Sequence, residues 1–191
     1  MLLERIKGAI TFRNGVYAEV EKDKGFTTTA WLLVLVVAFL NQLGSNASRH
    51  VGTWLGGAIA GTVLAVAGFA VAAAVINWAG RALFKADVTF NELVRTLGLA
   101  YVWNVIGVIG VLSAFSDALS CLLSPVRVIS AILLVVAWFV AAKEALDLEW
   151  GQTIITVILG FAALLVIMIG GALVLGLLGF GVASLAGLVG G

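Results

Sequence analysis

Apolar residues along this 191-residue chain gather into long uncharged runs separated by short polar stretches, and each run is near the length that crosses a bilayer as a helix. The beginning is different. Leu2, Leu3, Ile6, Ala9, Ile10 and Phe12 recur at helical spacing while Glu4, Arg5, Lys7 and Thr11 fall elsewhere. This predicts an amphipathic helix lying on the membrane interface and closed at Asn14-Gly15, where glycine tolerates the left-handed conformation. Val16 to Lys24 carries mixed charge up to the bilayer, so residues 1–25 read as a juxtamembrane segment. The remainder, 26–191, reads as the transmembrane domain.

The first predicted span is 26–43, about 18 residues without a charge. The second, 54–79, is about 26 residues long and fits with tilt, its ends marked by Trp54 and Trp78 as interfacial rings. Inside it Gly57 and Gly61 make a GxxxG spacing that lets helix backbones pack closely. Thr89 followed three residues later by Glu92 has the spacing of a capping box and predicts a helix start leading into a third span, 97–115. Asn104 interrupts that span, and its amide requires a partner because an unpaired polar group in hydrocarbon is costly. Residues 116–125 read as a turn region, with Pro125 just ahead of a fourth span, 126–142, from which Arg127 snorkels outward. From Thr153 onward about 39 residues lack any charge, roughly twice one crossing. Glycines at 170, 171, 176, 179, 181 and 187 weaken continuous helix, which predicts a fifth span over 153–175 and then a re-entrant or irregular apolar, Gly-rich tail; two short crossings, making six spans, are the alternative. The fold class is therefore all-α, a polytopic bundle of about five transmembrane helices with an amino-terminal interfacial amphipathic helix.

Composition agrees with lipid as the solvent: 62% of residues are hydrophobic and 11% charged, against about 25% charged in soluble domains. With five spans, Arg5, Lys7, Arg13, Lys22, Lys24, Arg81, Lys85, Arg95 and Lys143 collect on the amino-terminal side. Only Arg49 and Arg127 fall opposite, which by the positive-inside rule places the amino terminus in the cytoplasm. The first residues alternate charge with apolar side chains, unlike a signal peptide. A net charge of +1 without a dense Lys/Arg run argues against nucleic acid.

Three stretches resemble the membrane domain of the Yip (Ypt-interacting protein) family in its short prokaryotic form. They are RIKGAITFRNGVYAEVEKDKGFTTTAW from Arg5 to Trp31, INWAGRALFKADVTFNELVRTLGLA from Ile76 to Ala100, and VVAWFVAAKEALDLEWGQTIITVILG from Val135 to Gly160. The resemblance implies a five-span bundle with short loops, integral to a bacterial cytoplasmic membrane. Eukaryotic members of that family are associated with Rab-type GTPases through longer cytosolic regions. The Asp-Leu-Tyr-Gly-Pro motif of that branch is absent here, so a Rab-type GTPase partner is not carried over.

Candidate chemistry is sparse. One Cys and one His, Cys121 and His50, supply neither a thiolate metal site nor an oriented catalytic pair, and no HxxxH, ExxH or CxxC spacing occurs. No enzyme, no metal and no cofactor is expected; His50 as an axial ligand to a porphyrin-type group is the one cofactor reading considered. The spans hold no ionisable residue near their centres, which disfavours a proton-driven pump. Asn77 and Asn104 are expected to make intramembrane polar contacts, Gly57 and Gly61 to pack helices. On the cytoplasmic face Arg81, Lys85 and Arg95 are expected to pair with Glu144, Asp147 and Glu149, or else to remain solvated beside anionic lipid. These features suit a non-enzymatic membrane scaffold or adaptor whose partners are lipids and other membrane proteins, as an accessory subunit of a larger complex. A small channel or carrier for a neutral solute, with Asn77 and Asn104 along its path, is the alternative.

Overall fold

The structure, a computed structural model, describes residues 2–47 and 51–189, with side chains described except at 117, 120, 175 and 178–189. Described residues form helices joined by short turns: α1 (Leu2–Ile10), α2 (Val16–Lys22), α3 (Phe26–Ser45), α4 (Val51–Phe84), α5 (Phe90–Ala100), a 3-10 helix (Tyr101–Ala114), α6 (Asp117–Leu146) and α7 (Trp150–Val189). Five of these stretches are long and apolar enough to cross a bilayer: Phe26–Ser45, Val51–Phe84, Phe90–Ala114, Cys121–Leu146 and Trp150–Val174. Alternation of the five puts α2 and the turns after α4 and α6 at one end of the bundle, the N-terminal side. The turns after α3 and the 3-10 helix lie at the far side.

The third span is the hub. Half of its most apolar stretch is buried in the protein, against 11% for α7, which packs chiefly along α4. The 3-10 helix lies between α3 and α6. An aromatic cluster fills the centre of the bundle, with Phe69 of α4 fully buried and meeting Trp31, Tyr101 and Trp138 edge-on at 5.6, 5.6 and 5.9 Å. Trp138 in turn stacks on Phe161 of α7 at 5.0 Å. Edge-to-face contacts of this kind add to area burial, and they tie four of the five spans together.

The cap on α5 forms as the spacing predicts: Thr89 Oγ1 accepts from the Glu92 N–H at 3.3 Å and Glu92 Oε2 accepts from the Thr89 N–H at 2.7 Å. We expect Thr89→Ala to lower stability by about 1 kcal/mol, read as a fall in thermal unfolding temperature in detergent, and Thr89→Ser to restore it.

Several boundaries differ from expectation. Residues 16–22, which read as a mixed-charge part of the juxtamembrane segment, form a helix whose Val16, Tyr17 and Val20 are buried beneath α5 and α6; three apolar positions at i, i+1 and i+4 suffice to seat so short a helix. Burial pushes the Tyr17 phenol far up from its ordinary value. Gly15, at φ 78°, makes the left-handed turn between α1 and α2. On α1, Gly8 and Ala9 are buried while Leu2, Leu3 and Ile10 stay exposed, so the amphipathic helix has one face on the protein and one free for lipid. Arg5 holds this segment to the entrance of α3, with Nη1 2.8 Å from Asp23 Oδ2 and its guanidinium 5.0 Å from the Phe26 ring centre. That hydrogen bond from Arg5 is the main reason the Asp23 carboxyl lies below its ordinary range.

The helix that carries the fourth span, α6, begins at Asp117, so Pro125 is inside a helix rather than ahead of one. Its missing N–H forfeits one backbone bond of the helix. The backbone of α7 continues helical to Val189 instead of becoming irregular after about 175, because nothing there, neither charge nor proline, forces an end, and each glycine costs only about 1 kcal/mol.

Candidate intramembrane polar site

The polar centre of the molecule is built on a glycine crossing. At Gly44 of α3 an added Cβ would collide with the carbonyl of Gly107, and at Gly110 it would lie 2.6 Å from the Gly44 carbonyl oxygen, so the two backbones touch. That approach brings Asn41 to the 3-10 helix, where its Nδ2 donates to the Asn104 carbonyl at 2.9 Å and lies 3.4 Å from Asn104 Oδ1. One turn along, Asn46 Nδ2 donates to the Gln42 carbonyl at 3.0 Å and to Gln42 Oε1 at 2.9 Å. Gly57 and Gly61 of α4 face these same two amides: a Cβ at Gly57 would stand 2.9 Å from Asn46 Oδ1, and one at Gly61 would meet Gln42 Oε1. The GxxxG pair is therefore spent on packing within the chain. Trp54 Nε1 completes the α3–α4 join by donating to the Leu43 carbonyl at 2.7 Å.

Two cavities flank the Asn41–Asn104 contact. The first, about 210 Å³, is bordered by Asn41, Gln42, Tyr101, Asn104 and Trp138, with apolar residues of α4, α6 and α7 completing it. Phe69 packs edge-on against Tyr101 and Trp138, two of the cavity's bordering rings. The Trp138 indole N–H, on a residue 1% exposed, has no hydrogen-bond partner. The second cavity, about 280 Å³, shares Asn41 and Asn104 and adds Gly107, Arg127 and Ser130. Ser130 Oγ is engaged, donating to the Trp103 carbonyl at 2.6 Å. Arg127 Nη2 donates to Ser45 Oγ at 3.3 Å, and among the described residues no carboxylate lies within 4.0 Å of it.

Of the two amides singled out from sequence, the structure brings Asn104 to this site and places Asn77 elsewhere. Asn77 Nδ2 donates to the Val88 carbonyl at 3.2 Å and so fastens the turn between α4 and α5. The partner of Asn104 is Asn41, four residues before the close of α3; its signal was the Asn41-Gln42 pair at the end of an otherwise apolar run. His50 lies outside the described residues.

For the charged groups at the N-terminal side, expected either to pair across the two turns or to remain solvated, the structure departs from both alternatives at Arg95. No ion pair within 4.0 Å joins Arg81, Lys85 or Arg95 to Glu144, Asp147 or Glu149. Arg95, 4% exposed, is on the inner face of α5 and is used by α2 and α3 instead: Nη2 donates to the Glu21 carbonyl, Nη1 to Thr27 Oγ1 at 3.2 Å, and Glu92 Oε1 stands 3.8 Å away. Burial first, then the carboxylates of Glu92 and Asp147, push the Glu21 carboxyl up from its ordinary value. Its ionised form therefore opposes folding, and acidification through its titration range relieves that opposition.

A family model described as Yip1 domain matches residues 7–172, from within α1 to well into α7. No curated protein matches the chain, and no solved structure does.

Proposed function

We propose that this chain, which belongs to the Yip1 domain family, is a non-enzymatic scaffold or adaptor that acts by lateral contact with other membrane proteins. The premise from the fold is an integral membrane protein with five apolar crossings. The observation that carries the reading is the uncovered α4–α7 edge. Ile59 and Val63 of α4 and Val166, Ile169 and Leu173 of α7 are all exposed. On the same two helices Gly52, Gly56, Gly170 and Gly176 have open space where a Cβ would stand. Lipid tails are as apolar as leucine, so helices associate in a bilayer through close packing, and small residues that leave room for a second backbone favour it. By contrast Gly57 and Gly61 of α4 are filled by Asn46 and Gln42, and Gly44 of α3 by the 3-10 backbone.

In the same reading the amino terminus faces the cytoplasm of a bacterial cell, supported by nine cations on its side against two opposite. The amide-bordered cavity favours a second reading, a carrier for a neutral solute, with Asn41 rather than Asn77 beside Asn104.

A photo-crosslinking residue placed at Ile169 in cells should give a discrete protein adduct that Gly170→Leu removes. The same residue at Val36, exposed on α3, should give none. Equal, diffuse labelling at both positions, together with partner-free protein that moves neutral solutes in liposomes, would overturn the scaffold in favour of the carrier.

A further inference from the structure

The two cavities follow an order of chemistry along the membrane normal. Arg127 precedes Leu146, the N-terminal-side end of α6, by 19 residues. At 1.5 Å per residue that is about 28 Å, close to a full hydrocarbon thickness, so its guanidinium stands at far-side headgroup level. Asn41 follows Phe26 by 15 residues, about 22 Å along α3, and therefore lies several ångströms deeper together with Asn104. Below the amides the first cavity is mainly apolar, bordered by Ala65, Leu134, Trp138, Phe161 and Leu164. Cation, amides, then hydrocarbon is the sequence of a phosphate, a glycerol ester and an acyl chain.

We infer that the paired cavities seat one glycerophospholipid from the far-side leaflet, its phosphate at Arg127, its ester region against Asn41 and Asn104, and one chain beside Leu134 and Trp138. Arg127 suits the phosphate because its guanidinium is partly exposed, has one hydroxyl partner, Ser45, and has no neighbouring carboxylate among the described residues. The aromatic cluster around Phe69 packs against Tyr101 and Trp138, two of the residues that border the first cavity. α7 packs chiefly on α4 and lightly on α6, and the chain enters through the α6–α7 seam. This site does not depend on any protein partner at the α4–α7 edge.

The test uses the full chain, purified in mild detergent, washed free of lipid and titrated with phosphatidylglycerol in mixed micelles, with bound lipid counted by native mass spectrometry. One molecule should bind saturably. Arg127→Gln should weaken binding on the order of tenfold, the loss of one charge-assisted contact. Leu134→Trp, which fills the apolar cavity, should abolish it, and Arg81→Gln at the opposite end should leave it unchanged. If Leu134→Trp does not fold, the half-exposed Arg127 position decides. Wild-type occupancy in Arg127→Gln, or no saturable lipid in the wild type, would overturn the inference while leaving the Ile169 crosslink untouched. Displacement of the lipid by inorganic phosphate alone would also overturn it, because the site would then recognise an anion without a chain.

Discussion

Gly44→Val should abolish recovery of monodisperse protein from detergent extracts, and Gly44→Ala should lower the unfolding temperature by about 10 °C, the equivalent of roughly 3 kcal/mol for a chain of this size. The reason is what the new atom meets. At Gly44 a Cβ runs into the Gly107 carbonyl oxygen, with the Gly107 carbonyl carbon at 2.8 Å and Val108 Cα at 3.1 Å, and these are backbone atoms that cannot rotate away. Relief requires α3 and the 3-10 helix to separate, which also breaks the Asn41–Asn104 contact and leaves amides unpaired in hydrocarbon. Gly170→Ala is the control. Its Cβ meets nothing within 4 Å, so it should stay within about 0.5 kcal/mol of wild type. Equal behaviour of the two alanine variants would mean that the glycine crossing does not hold the bundle together.

Arg95→Met should cost about 2–4 kcal/mol, measured by thermal unfolding in detergent. The side chain is almost fully enclosed and is the only link by which α5 reaches both the Glu21 carbonyl and the Thr27 hydroxyl among the described hydrogen bonds. Methionine fills the volume but leaves that carbonyl without its donor. Arg95→Lys should recover less than half of the loss, because an ammonium cannot span two acceptors with the planar fork of a guanidinium. Full recovery by lysine would show that charge alone matters. In the same assay Arg81→Met, which loses no ion pair within 4.0 Å, should change stability little.

The five spans were legible because lipid imposes a minimum length on every crossing, and five apolar runs, one with Arg127 at its start and the last about twice as long as needed, reached it. The α5 cap was legible for a local reason: Thr89 and Glu92 are three residues apart, and their reciprocal bonds need nothing from the rest of the fold. What could not be read depends on contacts distant in the chain. Asn41 and Asn77 both carry an amide near the end of an apolar run, and the crossing at Gly44 and Gly107 decides which of them reaches Asn104. Arg95 looked like one of several cations at a membrane surface, but its place on the inner face of α5 follows from α2 packing there, and α2 itself was hidden by the charges interleaved with Val16, Tyr17 and Val20. The 3-10 stretch from Tyr101 to Ala114 has no local signature, since glycines at 107 and 110 occur equally in packed α-helices. Its tighter winding is tolerated where α3 and α6 hold it on two sides.

The bundle as a whole rests on alternation of its ends across the bilayer, and the native cysteine tests it directly. Cys121 is exposed and lies 25 residues before the N-terminal-side end of α6, about 37 Å along the helix and thus beyond the hydrocarbon. In sealed, uniformly oriented vesicles a membrane-impermeant maleimide should reach Cys121 from one side only, and should reach Lys85→Cys in a Cys121→Ser background from the other side only. Labelling of both positions from the same side would contradict the five-crossing arrangement on which the polar site, the lipid seat and the lateral edge all depend.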